Sequence, residues 1–261
     1  MKSNSGTLIF TALIAVLAAA LVLSAGCTGT SDSGAQETTV QTTAPTTGPT
    51  ELETPEEIKE AGDEEVALSG TGNGCVTTGL AGGVHLLTFT QNKADSGSVD
   101  ITTEKDEILI PFGFNEAVAD KAMKDGKYVW TQAFMIEDNA ETTFDVKTDC
   151  SWNIETSFPE AINGIVPQTF TGVGNQATPF FQINAGTYNV AIKTDNNEYI
   201  AVVLFDYYGN PLMEDNVEFP LAYHEGTYDD SVTVGISESN NYLFNVICDG
   251  EWTVSIEEAE A

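Results

Sequence analysis

The chain has 261 residues with 9 basic and 40 acidic side chains, a formal net charge of −31, and no arginine at all. That field repels nucleic acid and anionic lipid headgroups, and without arginine there is no planar fork to grip phosphate in two places, so nucleic-acid binding is excluded. Four cysteines and two histidines, with no Cys-x-x-Cys or Cys/His cluster, leave no basis for a thiolate or imidazole metal site.

At the front, Lys2 precedes an apolar run from Leu8 to Leu23, and no acid occurs before Cys27. This is the charge order of a secretory signal. The run is close to the roughly 20 residues that span a bilayer, and the small residues Ala25 and Gly26 favour cleavage over retention. Leu23-Ser24-Ala25-Gly26-Cys27 resembles the lipobox of prokaryotic membrane lipoproteins. The resemblance implies removal of residues 1–26, a thioether-linked lipid on Cys27, and lipid anchoring at the extracytoplasmic face of the cell membrane. Stable anchoring generally takes two hydrocarbon chains. Together with the acidity and the threonine-rich stretch that follows, Ala-Gly-Cys-Thr-Gly is similar to archaeal lipoproteins, with a bacterial source as the alternative.

Residues 27–66 read as a disordered linker. Nine threonines fall between Thr28 and Thr50, with Pro45 and Pro49 and almost nothing to enter a core. Thr54-Pro55-Glu56-Glu57 has the N-cap, N1 proline and acidic third position of a helix start, which predicts one or two turns to about Ala61.

Behind the linker lies an internal repeat, residues 67–158 and 163–261. Ser69-Gly70-Thr71-Gly72-Asn73 matches Thr171-Gly172-Val173-Gly174-Asn175, and Gly82-Gly83-Val84-His85 matches Ala185-Gly186-Thr187-Tyr188. The segment from Phe144 to Trp152 matches Phe244 to Trp252 at a constant offset of 100. The middles, around Pro111 to Lys127 and Pro211 to Thr227, do not align. Val190 and Ile192 alternate with Asn189 and Ala191, Val232 to Ile236 alternates likewise, and Asp249-Gly250 marks a hairpin after Phe244, Val246 and Cys248. Seven or eight such strands per copy predict an all-β chain of two tandem β-sandwiches, jelly-roll or immunoglobulin-like. The one stretch with helical spacing, Glu116 to Lys127, predicts a loop helix capping the first sandwich. Trp152 and Trp252, in phase with Val254 and Ile256, are predicted core anchors.

The motif Gly-x-Gly-Asn, an Ala/Gly-Gly turn and Asp-x-x-Trp resembles a β-sandwich module common in secreted and lipid-anchored prokaryotic proteins. Some relatives are appended to enzymes or bind carbohydrate, which implies a fold and adds weight to glycan binding.

Cys75 and Cys150 both lie in the first copy, and their counterparts Ala177 and Gly250 are both non-cysteine, as a disulfide present in one copy only would require. Cys248, in line with Phe244 and Val246, reads as a small buried apolar residue. His85 aligns with Tyr188, and His224 has no activated nucleophile beside it, so no catalytic residue is assigned and the chain is read as a non-enzyme. Candidate ligand residues lie in the divergent middle of the second copy: Asp206, Tyr207, Tyr208, Asn210, Tyr223, Asp229 and Asp230. Adjacent aromatics, carboxylates and amides could stack a sugar while bonding its hydroxyls, or offer oxygens to calcium. The expected role is display of two sandwiches for binding or adhesion to a glycan or surface protein, with a structural envelope component or accessory subunit as the alternative.

Overall fold

In a computed structural model, residues 66–214 and 217–259 are described. The leader, Cys27, the linker and the helix start at Thr54 lie outside them. Among the described residues no helix is long and apolar enough to cross a membrane. The chain from residue 66 onward belongs to one compact unit.

The first copy comprises β1 (Val66–Thr71), β2 (Gly74–Leu80), β3 (Gly83–Gln91), β4 (Gly97–Thr102), β5 (Glu107–Phe112), β6 (Met123–Lys124), β7 (Lys127–Ile136), β8 (Ala140–Lys147) and β9 (Ser151–Ser157). They form two antiparallel sheets, β1-β9-β3-β7-β6 and β2-β8-β4-β5. The second copy comprises β10 (Ala161–Ile165), β11 (Gln168–Val173), β12 (Gln176–Ala177), β13 (Phe180–Ile183), β14 (Gly186–Asp195), β15 (Tyr199–Asp206), β16 (Met213–Glu214), β17 (Val217–Glu218), β18 (Ala222–Glu225), β19 (Asp229–Ile236), β20 (Asn240–Cys248) and β21 (Glu251–Glu258). Its sheets are β11-β21-β14-β19 and β10-β13-β20-β15-β18, with β12 also on β20. The shared strands keep one order, β1-β9-β3-β7 matching β11-β21-β14-β19 and β2-β8-β4-β5 matching β12/β13-β20-β15-β18, whereas β6 of the first copy and β10 and the β16–β17 pair of the second have no counterpart. Where the first copy has a continuous β2, Pro179 cannot donate to a ladder, and the second copy splits that strand into β12 and β13.

Each sandwich closes on its own apolar cluster. Phe89, Val99, Ile101, Phe144 and Val146 lie in the first and Val190, Ile192, Val202, Phe244 and Val254 in the second. Both repeated tryptophans are buried, and the glycines of the repeat explain how. Gly70 is the cross-strand partner of Trp152, and Gly172 that of Trp252. A Cβ on Gly70 would stand 2.5 Å from the Trp152 ring, and one on Gly172 closer still to Trp252. Each indole Nε1–H donates 2.9 Å to the carbonyl of the next glycine, Gly72 or Gly174, both at positive φ. The following asparagine completes the latch: Asn73 Oδ1 accepts from Thr148 N, and Asn175 Oδ1 from Cys248 N, each at 3.0 Å.

Two expectations are corrected. Cys150 is a buried free thiol donating to Asp95 Oδ2 at 3.4 Å, so the Cys75–Cys150 disulfide does not form. The reason is parity: Val76 packs toward the core, which turns the neighbouring Cys75 onto the outer face of β2, opposite Asp145, whereas Cys150 points inward. The helix expected over Glu116 to Lys127 is a single 3-10 turn at Ala119–Ala122. It gives way to the β6–β7 hairpin, whose turn residues Asp125 and Gly126 both have positive φ.

Replacing Gly70 by Ala forces a methyl into the Trp152 ring and is expected to lower unfolding free energy by about 1–3 kcal/mol. Gly79→Ala, where a Cβ meets nothing within 4 Å, should be neutral or slightly stabilising. Urea denaturation of the pair measures both.

Candidate functional site

The two sandwiches touch through the outer faces of β7 and β20, and the residues there break strand alternation. Gln132, Ala133 and Phe134 are buried in succession on β7, as are Tyr242 to Val246 on β20. A strand buried on both faces must satisfy a second partner. Val84, Ala133, Phe180 and Leu243 form a separate apolar cluster, with Phe158, Phe205 and Tyr207 packed against it.

Polar groups fix the register of this contact. Asn245 clamps the backbone of Ala133, its Oδ1 accepting from Ala133 N at 2.9 Å and its Nδ2 donating to Ala133 O at 3.0 Å. Asn175, the latch residue of the second copy, donates through Nδ2 to Pro111 O at 2.6 Å. Its own carbonyl accepts from Thr131 N at 3.0 Å. Further out, Asn115 N donates to Asp249 O at 2.7 Å, and Lys121 pairs with Glu251 at 2.8 Å. Phe114 rests on Gly174, where a Cβ would collide with its ring.

This docking leaves a groove of about 930 Å³ along one side of the junction. Its second-copy surface is the Gly172–Trp252 end of the sheet, with Thr171, Thr194, Thr253 and Gln176. Its first-copy wall is Lys121, Met123, Lys124, Val129 and Thr131. Lys193 and Asp195 also line it. Asp195 and Glu251 are cross-strand partners, and Glu251 is the partner of Lys121. Lys193 is hydrogen-bonded to Asp229, whose oxygen and charge hold the ammonium pKa above its usual value. The first copy has a smaller groove of about 330 Å³ over the equivalent residues Gly70, Thr71, Ser151, Trp152 and Asn153. Lys127 lines that one.

The structure does not gather the seven candidate ligand residues into one place. Asp206 and Asn210 build a turn: Asp206 Oδ1 accepts from Tyr208 N and Asn210 N at 2.9 and 2.8 Å, and Asn210 Nδ2 donates to Asp206 Oδ2 at 3.0 Å. Tyr207 packs on Phe180 and Phe158 with centroids 5.2 and 5.4 Å apart, at the junction. Tyr208 and Tyr223 are 68% and 65% exposed, Tyr223 standing across from Ala201 on β18. Asp229 and Asp230 lie in the opposite sheet, the first paired with Lys193 at 2.6 Å and the second accepting from Ser231 N. Among the described residues no group of three or more His, Cys, Asp or Glu side chains converges as a metal site would require. The groove residues were missed because threonines and single lysines carry no motif. Leu243 and Ala133, apolar at outward positions of their strands, were the legible signal of the junction.

Cys248 is fully buried, and burial pushes its thiol up to about 12, which removes it from thiolate chemistry.

No protein-family model matches the chain, and no curated protein does. Among solved structures, a conserved protein of unknown function, PA5104 of Pseudomonas aeruginosa PAO1, is 11% identical. The match covers 71% of this chain and 79% of that one, with a TM-score of 0.22. The CBM22-1-CBM22-2 tandem domain of Paenibacillus barcinonensis Xyn10C is 8% identical over 78% of this chain and all of its own length, also at 0.22. Likeness at this level transfers no function to the chain.

His85 illustrates how one repeat position tolerates two chemistries. Its Nε2 lies 2.8 Å from Ala81 O, four residues back, as Tyr188 Oη donates 2.9 Å to Asn184 O. Burial holds the imidazole pKa below its ordinary 6.5. The unfolded chain therefore binds a proton that the native chain refuses, so this contribution is full above pH 6.5 and is lost as pH falls from there toward the lowered native value. Melting temperature should drop less between pH 7 and 5 in His85→Tyr than in wild type, by thermal scans in matched buffers.

Proposed function

We propose that this chain is a lipid-anchored extracytoplasmic protein that displays two β-sandwiches as one rigid body for non-catalytic binding of a glycan or a protein partner. Anchoring is supported by the lipobox-like run ending at Cys27, and binding by the groove. The observation that carries the reading is that Asn175 and Asn245 fix two sandwiches so that residues of both wall one concavity. Clefts at domain interfaces are where ligands preferentially bind. Asp195 and Glu251 face each other in it, but Lys121 occupies Glu251, which favours hydrogen bonding to a ligand over acid/base work.

The test is a glycan array and a membrane crosslinking pull-down with the lipidated protein, followed by product analysis of any bound glycan. Selective retention of an intact ligand is expected, cleavage would replace the reading with an enzyme, and silence in both assays would end it. Mass spectrometry should find Cys27 at the mature N-terminus carrying a thioether-linked lipid; an unmodified thiol behind an intact leader would sink the anchoring half.

Asn245→Ala leaves the Ala133 N–H and C=O unpaired at a buried contact and should cost about 1–3 kcal/mol. The variant is expected to split thermal unfolding into two transitions in calorimetry and to weaken ligand binding in the same preparation, because the groove walls are no longer held in register.

A further inference from the structure

We propose that the groove recognises a glycan bearing sparse carboxylates, a uronate-containing oligosaccharide, through the paired lysines of the β6–β7 hairpin; the inference rests on the binding function proposed above. Seven lysines fall among the described residues, and five of them, Lys93, Lys105, Lys121, Lys147 and Lys193, have a carboxylate within 4.0 Å. Lys124 and Lys127 are the two that do not. Instead they are cross-strand partners of one another, both exposed. Like charges directly opposite on a ladder are destabilising, and in a chain of 40 acids a carboxylate for either would be easy to supply. The two ammonium groups are thus the least compensated cations of the described chain. One of this pair lines each groove, Lys124 the larger and Lys127 the smaller.

The remaining lining selects the class of anion. The larger groove offers the Thr131, Thr171 and Thr253 hydroxyls, the Gln176 amide oxygen and the Asp195 carboxylate, a set that bonds hydroxyl groups. The smaller groove repeats the theme with Ser69, Thr71, Ser151 and Asn153. A sugar acid meets both demands: its hydroxyls donate to Asp195 while its carboxylate sits between Lys124 and Lys127. An acidic peptide satisfies the lysines but brings few hydroxyl donors for Asp195. A dense polyanion is repelled by the net charge of −31. Isolated carboxylates escape that repulsion, because charges beyond roughly 8 Å are screened at physiological salt, leaving the two nearby ammonium groups to dominate.

The experiment presents the mature lipidated protein, in detergent, with neutral oligosaccharides, with uronate-containing oligosaccharides and their carboxyl-reduced counterparts, and with poly-glutamate. The expected result is binding of uronate forms that weakens about tenfold or more on carboxyl reduction, as loss of a hydrogen bond to a charged group predicts. The double variant Lys124→Gln/Lys127→Gln, surface-exposed and checked by circular dichroism, should show the same loss while keeping residual affinity for neutral forms. Equal affinity for reduced and unreduced forms, or an unaffected double variant, overturns the acid-recognition inference and leaves glycan binding standing. Preference for poly-glutamate overturns it in favour of an acidic peptide. No binding of any glycan or protein by the wild type removes the proposed function itself.

Discussion

An indole lying against a glycine sets the register of both sandwiches. Trp152 and Trp252 are each opposite a glycine on an edge strand, and no larger residue can occupy that position without displacing the ring. Because side chains alternate along a strand, a slip of one residue would turn the whole apolar set outward. The indole hydrogen bond to the next glycine carbonyl makes such a slip costlier, since a buried N–H would lose its acceptor. The asparagine after that glycine ties the same turn to the end of β8 or β20, so one short motif fastens the two sheets of a copy to each other. Its repetition explains why two copies with little common sequence keep the same strand order.

The junction departs from this symmetry, and it accounts for where the copies differ. The unaligned middle of the first copy supplies Phe114, Asn115 and Lys121, which meet Gly174, Asp249 and Glu251. The unaligned middle of the second supplies Tyr207 and Gly209, and Gly209 lies against Met135 and Val84. Two middles that face unlike partners are under unlike constraints, whereas the ends, which face equivalent cores, are held to one plan. Asn175 shows the transition within one residue: its Oδ1 does what Asn73 Oδ1 does in the first copy, while its Nδ2 reaches across to Pro111.

Strand type, the repeat and the buried tryptophans were legible because they depend on periodicity and on residues that admit one environment. The Cys75–Cys150 pairing failed because absence of both counterparts in the second copy is compatible with independent loss, and alternation along β2 already placed Cys75 beside Val76 on the wrong face. The helix failed because Asp125-Gly126, a strong hairpin turn, outweighed the spacing of Ala117, Val118, Ala122 and Met123. The ligand residues were chosen for chemical suitability in a loop, yet Asp206 and Asn210 spend their hydrogen bonds on the turn itself.

A site assembled between repeats is invisible to motif reasoning for a physical reason. Each copy contributes residues that are ordinary in its own context: threonines on an outer face, a lysine in a hairpin, a glycine under an indole. Their conjunction exists only when two amide side chains, Asn175 and Asn245, hold the copies in one orientation. The net charge is equally uninformative there, since it averages over a surface on which five described lysines are neutralised locally and two are not. What distinguishes Lys124 and Lys127 is their placement opposite each other, a property of register, and register across a turn is what a linear sequence states least directly.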